Sequence, residues 1–232
     1  MNEHTSKKFD TELEGIRTRV LQMGGMVELQ IVKAMEGLSD GDLLLIDQVI
    51  ENDNRVNLLE IELDEACNQV IAKRQPTAVD LRMISTVQKT ITDLERIGDE
   101  AKKIAKTAKQ IHTAVSPFMP QIRLSHIADA VVDMLRTSLD AYARLDTISA
   151  AQVVRQDKEV DAEFKGIMRQ LITYMMEDPR TISQAIELMF VAKSVERIGD
   201  HSKNIAEYVV YMVKGRDVRH TSLEEIEREA TR

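Results

Sequence analysis

The apolar positions of this chain recur by threes and fours rather than by twos. From Leu81 onward, Leu81, Ile84, Val87, Ile91, Leu94, Gly98, Ala101 and Ala105 keep the period of an amphipathic helix. Ile46, Val49, Val56, Leu59, Leu63 and Cys67 describe a second stripe of the same kind. No alternating pattern of a half-buried strand competes with them. The stripes break at Ser39-Asp40-Gly41, at Gln75-Pro76-Thr77, at Ser116-Pro117 through Pro120, at Arg144 to Thr147, and at Asp178-Pro179. Proline is tolerated near a helix start because its missing amide proton would have no partner there. Five breaks predict six helices of about 25 to 35 residues, each roughly 40–50 Å long. The polar stretch after Gly215 predicts a short helix or a loose tail.

The pattern is also duplicated. "DLERIGDEAKKIA" (93–105) matches "SVERIGDHSKNIA" (194–206) at an offset of 101 residues. "DNRVN" (53–57) lies against "DKEVD" (157–161) at an offset of 104, and Pro76 and Pro179 each precede the third helix of their half. The expected fold is all-α: two tandem, structurally similar antiparallel three-helix bundles built from six long helices. The first bundle is expected over residues 1–116, the second over 117–215, and a C-terminal tail over 216–232.

Composition narrows the function. A net charge of −8 argues against nucleic acid as the main partner, because phosphate backbones demand a basic surface. The single cysteine, Cys67, permits no internal disulfide and falls within an apolar stripe, so it reads as a small buried hydrophobe. The start, "MNEHTSKKFD", has no apolar core of a signal peptide. The longest apolar run, Tyr208 to Val213, is six residues against the ~20 of a bilayer span. A soluble protein is expected, meeting a membrane only through partners.

The candidate chemistry lies in the repeated motif. Glu95 and Asp99 are one helical turn apart and share a face, as do Glu196 and Asp200. On a helical wheel Leu94 and Gly98 sit at the centre of the buried stripe, with Glu95 about 40° and Asp99 about 80° to one side. The acids therefore stand at the stripe's edge, where a neighbouring helix can face them. Like charges at this spacing cost roughly 0.2–0.5 kcal/mol in an isolated helix, and the adjacent glycine about 1 kcal/mol relative to alanine. Both costs recur at Glu196, Gly199 and Asp200. Oxygen ligands so arranged suit a hard cation. The second helix of each half offers more: Asp53 with Asn57, and Asp157 with Asp161, again one turn apart. If helices two and three of a half are neighbours, their acids converge on one cluster. The alternative is a set of ordinary ion pairs, with Arg96 or Lys103 on Asp99 and Lys203 on Asp200. Gly98 and Gly199 also read as sites of close helix packing, and Gly24-Gly25 as a packing notch or kink. His201 follows Asp200 but turns off the acid face, and its counterpart in the first half is Glu100. No Glu is followed three residues later by His, which counts against a di-iron oxidase, and hydrolase, Walker and dinucleotide signatures are lacking.

The stretches "MGGMVE" (23–28), "AKRQPTAVDLR" (72–82), "LERIGDEAKKIA" (94–105), "TYMMEDPRTI" (173–182) and "VERIGDHSKNIA" (195–206) resemble, in order and over nearly the whole chain, the PhoU family. These are accessory proteins of bacterial phosphate-specific transport. The resemblance implies two three-helix bundles, a cytoplasmic location and negative regulation of phosphate uptake and of the phosphate-starvation response. It implies two partners, the sensor histidine kinase of that response and the ATPase of the phosphate ABC transporter, together with a homodimer. No enzymatic activity is expected, since the sequence shows no catalytic set and its long amphipathic helices offer docking faces. Some members bind iron or other metal clusters at E/D-xxx-D motifs. Carried over by position, these are Glu95/Asp99 and Glu196/Asp200, with Asp157/Asp161 and Asp53 alongside, for divalent or trivalent ions such as Fe, Mn, Mg or Zn. Asn57 stands where the pattern allows a second carboxylate, so the first half's site is expected to be the weaker. Against this regulator stand two other readings: a metal-dependent helical enzyme, whose acid clusters would activate water or oxygen, and a plain helical scaffold indifferent to chelators.

Overall fold

The computed structural model describes residues 7–114 and 118–231, and every regular element among them is helical. Six long helices follow in order: α1 Lys7–Asp40, α2 Leu43–Arg74, α3 Ala78–Thr113, α4 Ser125–Arg144, α5 Thr147–Glu177 and α6 Ile182–Lys214. A short α7, Leu223–Thr231, comes last. Local chemistry sets the boundaries. Asp42 caps α2 by accepting from the amides of Leu44 and Leu45. Asp146, 104 residues later, caps α5 by accepting from those of Ile148 and Ser149. Gly41 and Gly215 take the left-handed conformation, and Gly215 ends α6 with its amide on the Tyr211 carbonyl.

Two expectations need correction. α4 spans 20 residues rather than about 25 to 35, because the chain from Phe118 to Leu124 is an irregular strap. Pro120 is buried in it, the Tyr174 hydroxyl donates to the Gln121 carbonyl at 3.0 Å, and the Arg180 guanidinium lies 4.1 Å from the Phe118 ring centre. The boundary expected at Ser116-Pro117 lies outside the described residues. Leu81, first of the α3 stripe, is 45% exposed. The tail is an ordered helix: Ile226 and Ala230 bury against the bundle, and Thr147 Oγ1 donates to the Ala230 carbonyl at 2.7 Å.

Helices α1–α3 pack together, as do α4–α6, and the halves meet mainly along α3 and α6, with α1 against α4 beside them. Asp93 faces His201 and Glu100 faces Arg197, so α3 and α6 run antiparallel. Buried apolar residues from both halves form one continuous core. α3 buries two stripes for this reason: Ile84, Val87, Ile91, Leu94 and Ala101 in one, Ile97, Ile104 and Ala108 in the other. Gly24 is the expected notch. A Cβ there would stand 2.5 Å from Leu139 Cδ1 of α4, whereas nothing lies within 4 Å of one on Gly25.

Candidate functional site

Packing of α2 on α3 brings Asp53 beside the Glu95/Asp99 edge. Asp53 is fully buried. Its Oδ2 accepts from Lys102 Nζ at 2.8 Å and from Asn57 Nδ2 at 3.4 Å. Glu95 remains half-buried, and burial, followed by the charges of Asp99 and Glu60, raises its carboxyl above the ordinary range. The second half repeats the arrangement with α5 on α6. Lys203 Nζ donates to Asp157 Oδ2 at 2.6 Å and lies 3.8 Å from Asp200 Oδ1. Burial raises the Asp157 carboxyl despite Lys203, and raises that of Asp200, with Glu196 adding to it. Glu196 is held by Lys193 Nζ at 2.5 Å. Asp161 stands half-buried one turn after Asp157.

Lys102 is the residue the sequence reading missed, and Lys203 pairs with Asp200 as expected but also with Asp157, which was not foreseen. Each follows its motif's aspartate by three residues and stands 101 residues from the other. The signal was the longer repeat E-xxx-D-xx-K. Lys103, expected on Asp99, pairs instead with Glu100 at 2.9 Å. Lys203 reaches Asp200 only at 3.8 Å and makes its shorter bond to Asp157. The structure shows the ion pairing of the second reading, with an ammonium group bonded to Asp53 and another to Asp157, and the acids expected to converge lie near enough to act on one another by charge but do not close into one cluster. Among the described residues no three His, Cys, Asp or Glu side chains gather so that they could hold a metal ion. The donors fit a hard cation in kind, being carboxylate oxygens, and burial followed by neighbouring carboxylates makes the charged forms of Glu95 and Asp200 less favourable without one. Lys102 and Lys203 hold one oxygen each of Asp53 and Asp157.

His201 serves a different purpose from ligation. Its Nδ1 lies 2.6 Å from Asp93 Oδ1, which also accepts from Asn204 Nδ2 at 3.2 Å. Glu100, its counterpart, pairs with Arg197 at 3.0 Å. These bonds cross the α3–α6 seam and tie the halves. A Cβ on Gly199 would stand 3.4 Å from Val131 Cγ1 and 3.5 Å from Val160 Cγ1, ordinary contact, so the packing is less tight there than at Gly24. Burial pushes the Cys67 thiol up to about 12, which fits the inert hydrophobe expected from sequence. Burial also pushes the Glu207 carboxyl on α6 up to about 7, against the opposing charge of Lys203. Among the described residues no helix is long and apolar enough to cross a membrane.

A family model described as the PhoU domain matches twice, over residues 20–108 and 124–209. The chain is 48% identical to the phosphate-specific transport system accessory protein PhoU of Serratia marcescens, over 98% of this chain and 93% of that one. It is 47% identical to the protein of the same name from Escherichia coli K12, over 98% and 94%. The crystal structure of PhoU from Pseudomonas aeruginosa superposes with a TM-score of 0.86 at 45% identity, covering 90% of this chain and all of that one. The phosphate transport system regulatory protein PhoU from Streptococcus pneumoniae superposes at 0.82 with 25% identity, covering 90% and 99%. With both halves matched and the likeness running nearly end to end, the chain belongs to the PhoU family.

Proposed function

We propose that this protein is a cytoplasmic, non-enzymatic negative regulator of phosphate uptake and of the phosphate-starvation response. It acts by contact with the sensor histidine kinase and with the ATPase of the phosphate ABC transporter. The observation that carries this reading is the near-full-length likeness to proteins named for phosphate-specific transport. The surface supports a role in docking. Met176 and Phe190, 80% and 62% exposed, stand with Ile172, Ile182 and Ile186 on α5 and α6, and exposed apolar side chains in such numbers suit protein contacts, including a homodimer. Where a metal ion enters, Glu95 and Asp99 would hold it in the first half, Asp53 joining them by giving up Lys102, and Glu196, Asp200 and Asp161 in the second, joined by Asp157 on giving up Lys203; no such set is gathered among the described residues. Such an ion would neutralise the clustered carboxylates and so alter the charge a partner meets.

Co-purification of the protein with the kinase and with the transporter ATPase, with and without phosphate, tests the reading. Association with both is expected, differing between the two phosphate conditions. Failure to associate with either partner in both conditions would overturn it.

A further inference from the structure

At Gly98 the first half gathers polar atoms where the second half has carbon. Gln30 of α1 is 5% exposed, and neither atom of its amide has a hydrogen-bond partner within the protein. Asp53 Oδ1 and Asn57 Oδ1 of α2 share that condition. Two of these atoms converge on one spot. A Cβ on Gly98 would stand 3.2 Å from Gln30 Oε1 and 3.4 Å from Asp53 Oδ1, beside Val56 Cγ1 at 3.5 Å. Asn57 is one turn beyond Asp53, with its Nδ2 on the other oxygen of that carboxylate. Gly199 is the matching position. There the side chains are Val131, Val160 and Met134, and Met134 follows Gln30 by the same 104 residues that separate Asp157 from Asp53. The duplicate is an internal control: the same three-helix frame packs a methionine at this place, so the frame does not need glutamine. A buried polar atom left unpaired costs about 1–3 kcal/mol, and here several are gathered in one place.

We propose that the Gly98 seat binds one monovalent cation, sodium or potassium, through Gln30 Oε1, Asp53 Oδ1 and Asn57 Oδ1. The donors are all oxygen, as an alkali ion requires. They comprise one carboxylate and two neutral amides, and the carboxylate is shared with Lys102. Divalent sites recruit more negative charge than this. Neither atom of the Gln30 amide has a partner, so no hydrogen bond fixes its orientation and the carbonyl is free to face the seat. The surroundings favour a positive charge, because Glu95, Asp99 and Glu60 outnumber Lys102 and Arg96 nearby. The seat lies between α1, α2 and α3 and turns on Gln30, which belongs to neither acid motif.

The test is the melting temperature of the full chain in sodium, potassium and choline chloride at equal ionic strength. One alkali salt is expected to raise it by about 2–4 °C over choline, with a saturating dose dependence. Q30M, which copies the second half, is expected to fold and to lose this shift. The E196Q/D200N variant is expected to keep it. Equal melting in the three salts, a shift retained by Q30M, or its loss in E196Q/D200N would overturn the proposal. Should Q30M fail to fold, crystals of the wild-type protein grown in rubidium or thallium salt decide. An anomalous peak beside Gly98 is expected, and an ordered water alone at that place overturns the assignment.

Discussion

Single side chains decide how much charge each half can hold. The sequence placed the acids correctly at the stripe's edge because helical spacing alone dictates that arc. It did not reveal which cation would answer them, since Lys102 and Lys103 are adjacent and only the packed neighbour α2 selects the first. Gln30 was illegible for a similar reason: its meaning depends on Gly98, sixty-eight residues away and on another helix. Two expectations belong at this scale. Asn57 gives the first half one carboxylate fewer. Replacing both Glu196 and Asp200 with alanine should therefore remove more bound metal than replacing Glu95 and Asp99, as elemental analysis of the two double variants would show. The reverse order would refute this. Glu207 sets a pH dependence. Its carboxyl sits at about 7 in the folded chain, above its ordinary value near 4.5, so the folded state binds the proton more tightly than the unfolded state. The wild-type protein therefore loses stability as pH rises from about 4.5 to 7, and the loss is complete above that range. Glu207→Gln should melt higher than wild type at pH 8, by ~2 kcal/mol in denaturant titration, with the difference vanishing near pH 4. Lys203, Asp157, Arg219 and Asp217 also act on this carboxyl, so an unchanged difference across pH would show that its burial is offset by them.

At the level of elements, helix ends were the most legible feature because they rest on local chemistry. Asp42 adjoins one break read from sequence and Asp146 falls within another, and each satisfies two amides that its helix leaves unpaired. The start of α4 was not legible. The apolar residues of the strap, Phe118, Met119, Ile122 and Leu124, have no period of their own and gain order from Tyr174 on α5 and Arg180 in the turn that follows it. Asp146→Ala should cost about 1 kcal/mol and lower the melting temperature by a few degrees at neutral pH. The bonds from Ser149 hold the Asp146 carboxyl below its ordinary value. That stabilisation is present above the carboxyl's unfolded value and is lost as pH falls through the folded one, so wild type and variant should converge in strong acid. A difference that persists at pH 2 would mean that the aspartate acts through something other than its charge.

For the whole molecule, the duplication was legible from the recurring motif, but the union of the halves along α3 and α6 was not. Both stripes of α3 are apolar, and a sequence does not say which faces its own bundle and which faces the other. The seam is also asymmetric. Asp93 meets His201 and Glu100 meets Arg197, although Glu100 and His201 occupy equivalent places in the repeat. His201→Glu would set two largely buried carboxylates against each other. We expect a loss of at least ~2 kcal/mol in chemical denaturation at neutral pH, and an unchanged midpoint would show that the bond contributes little. The same asymmetry governs assortment. A molecule assembled from two copies of the first half would bring Asp93 opposite Glu100 at its joint, acid upon acid. Each half is thereby keyed to its unlike sibling, and a stray identical copy makes a poor substitute during folding, even though the two share one architecture.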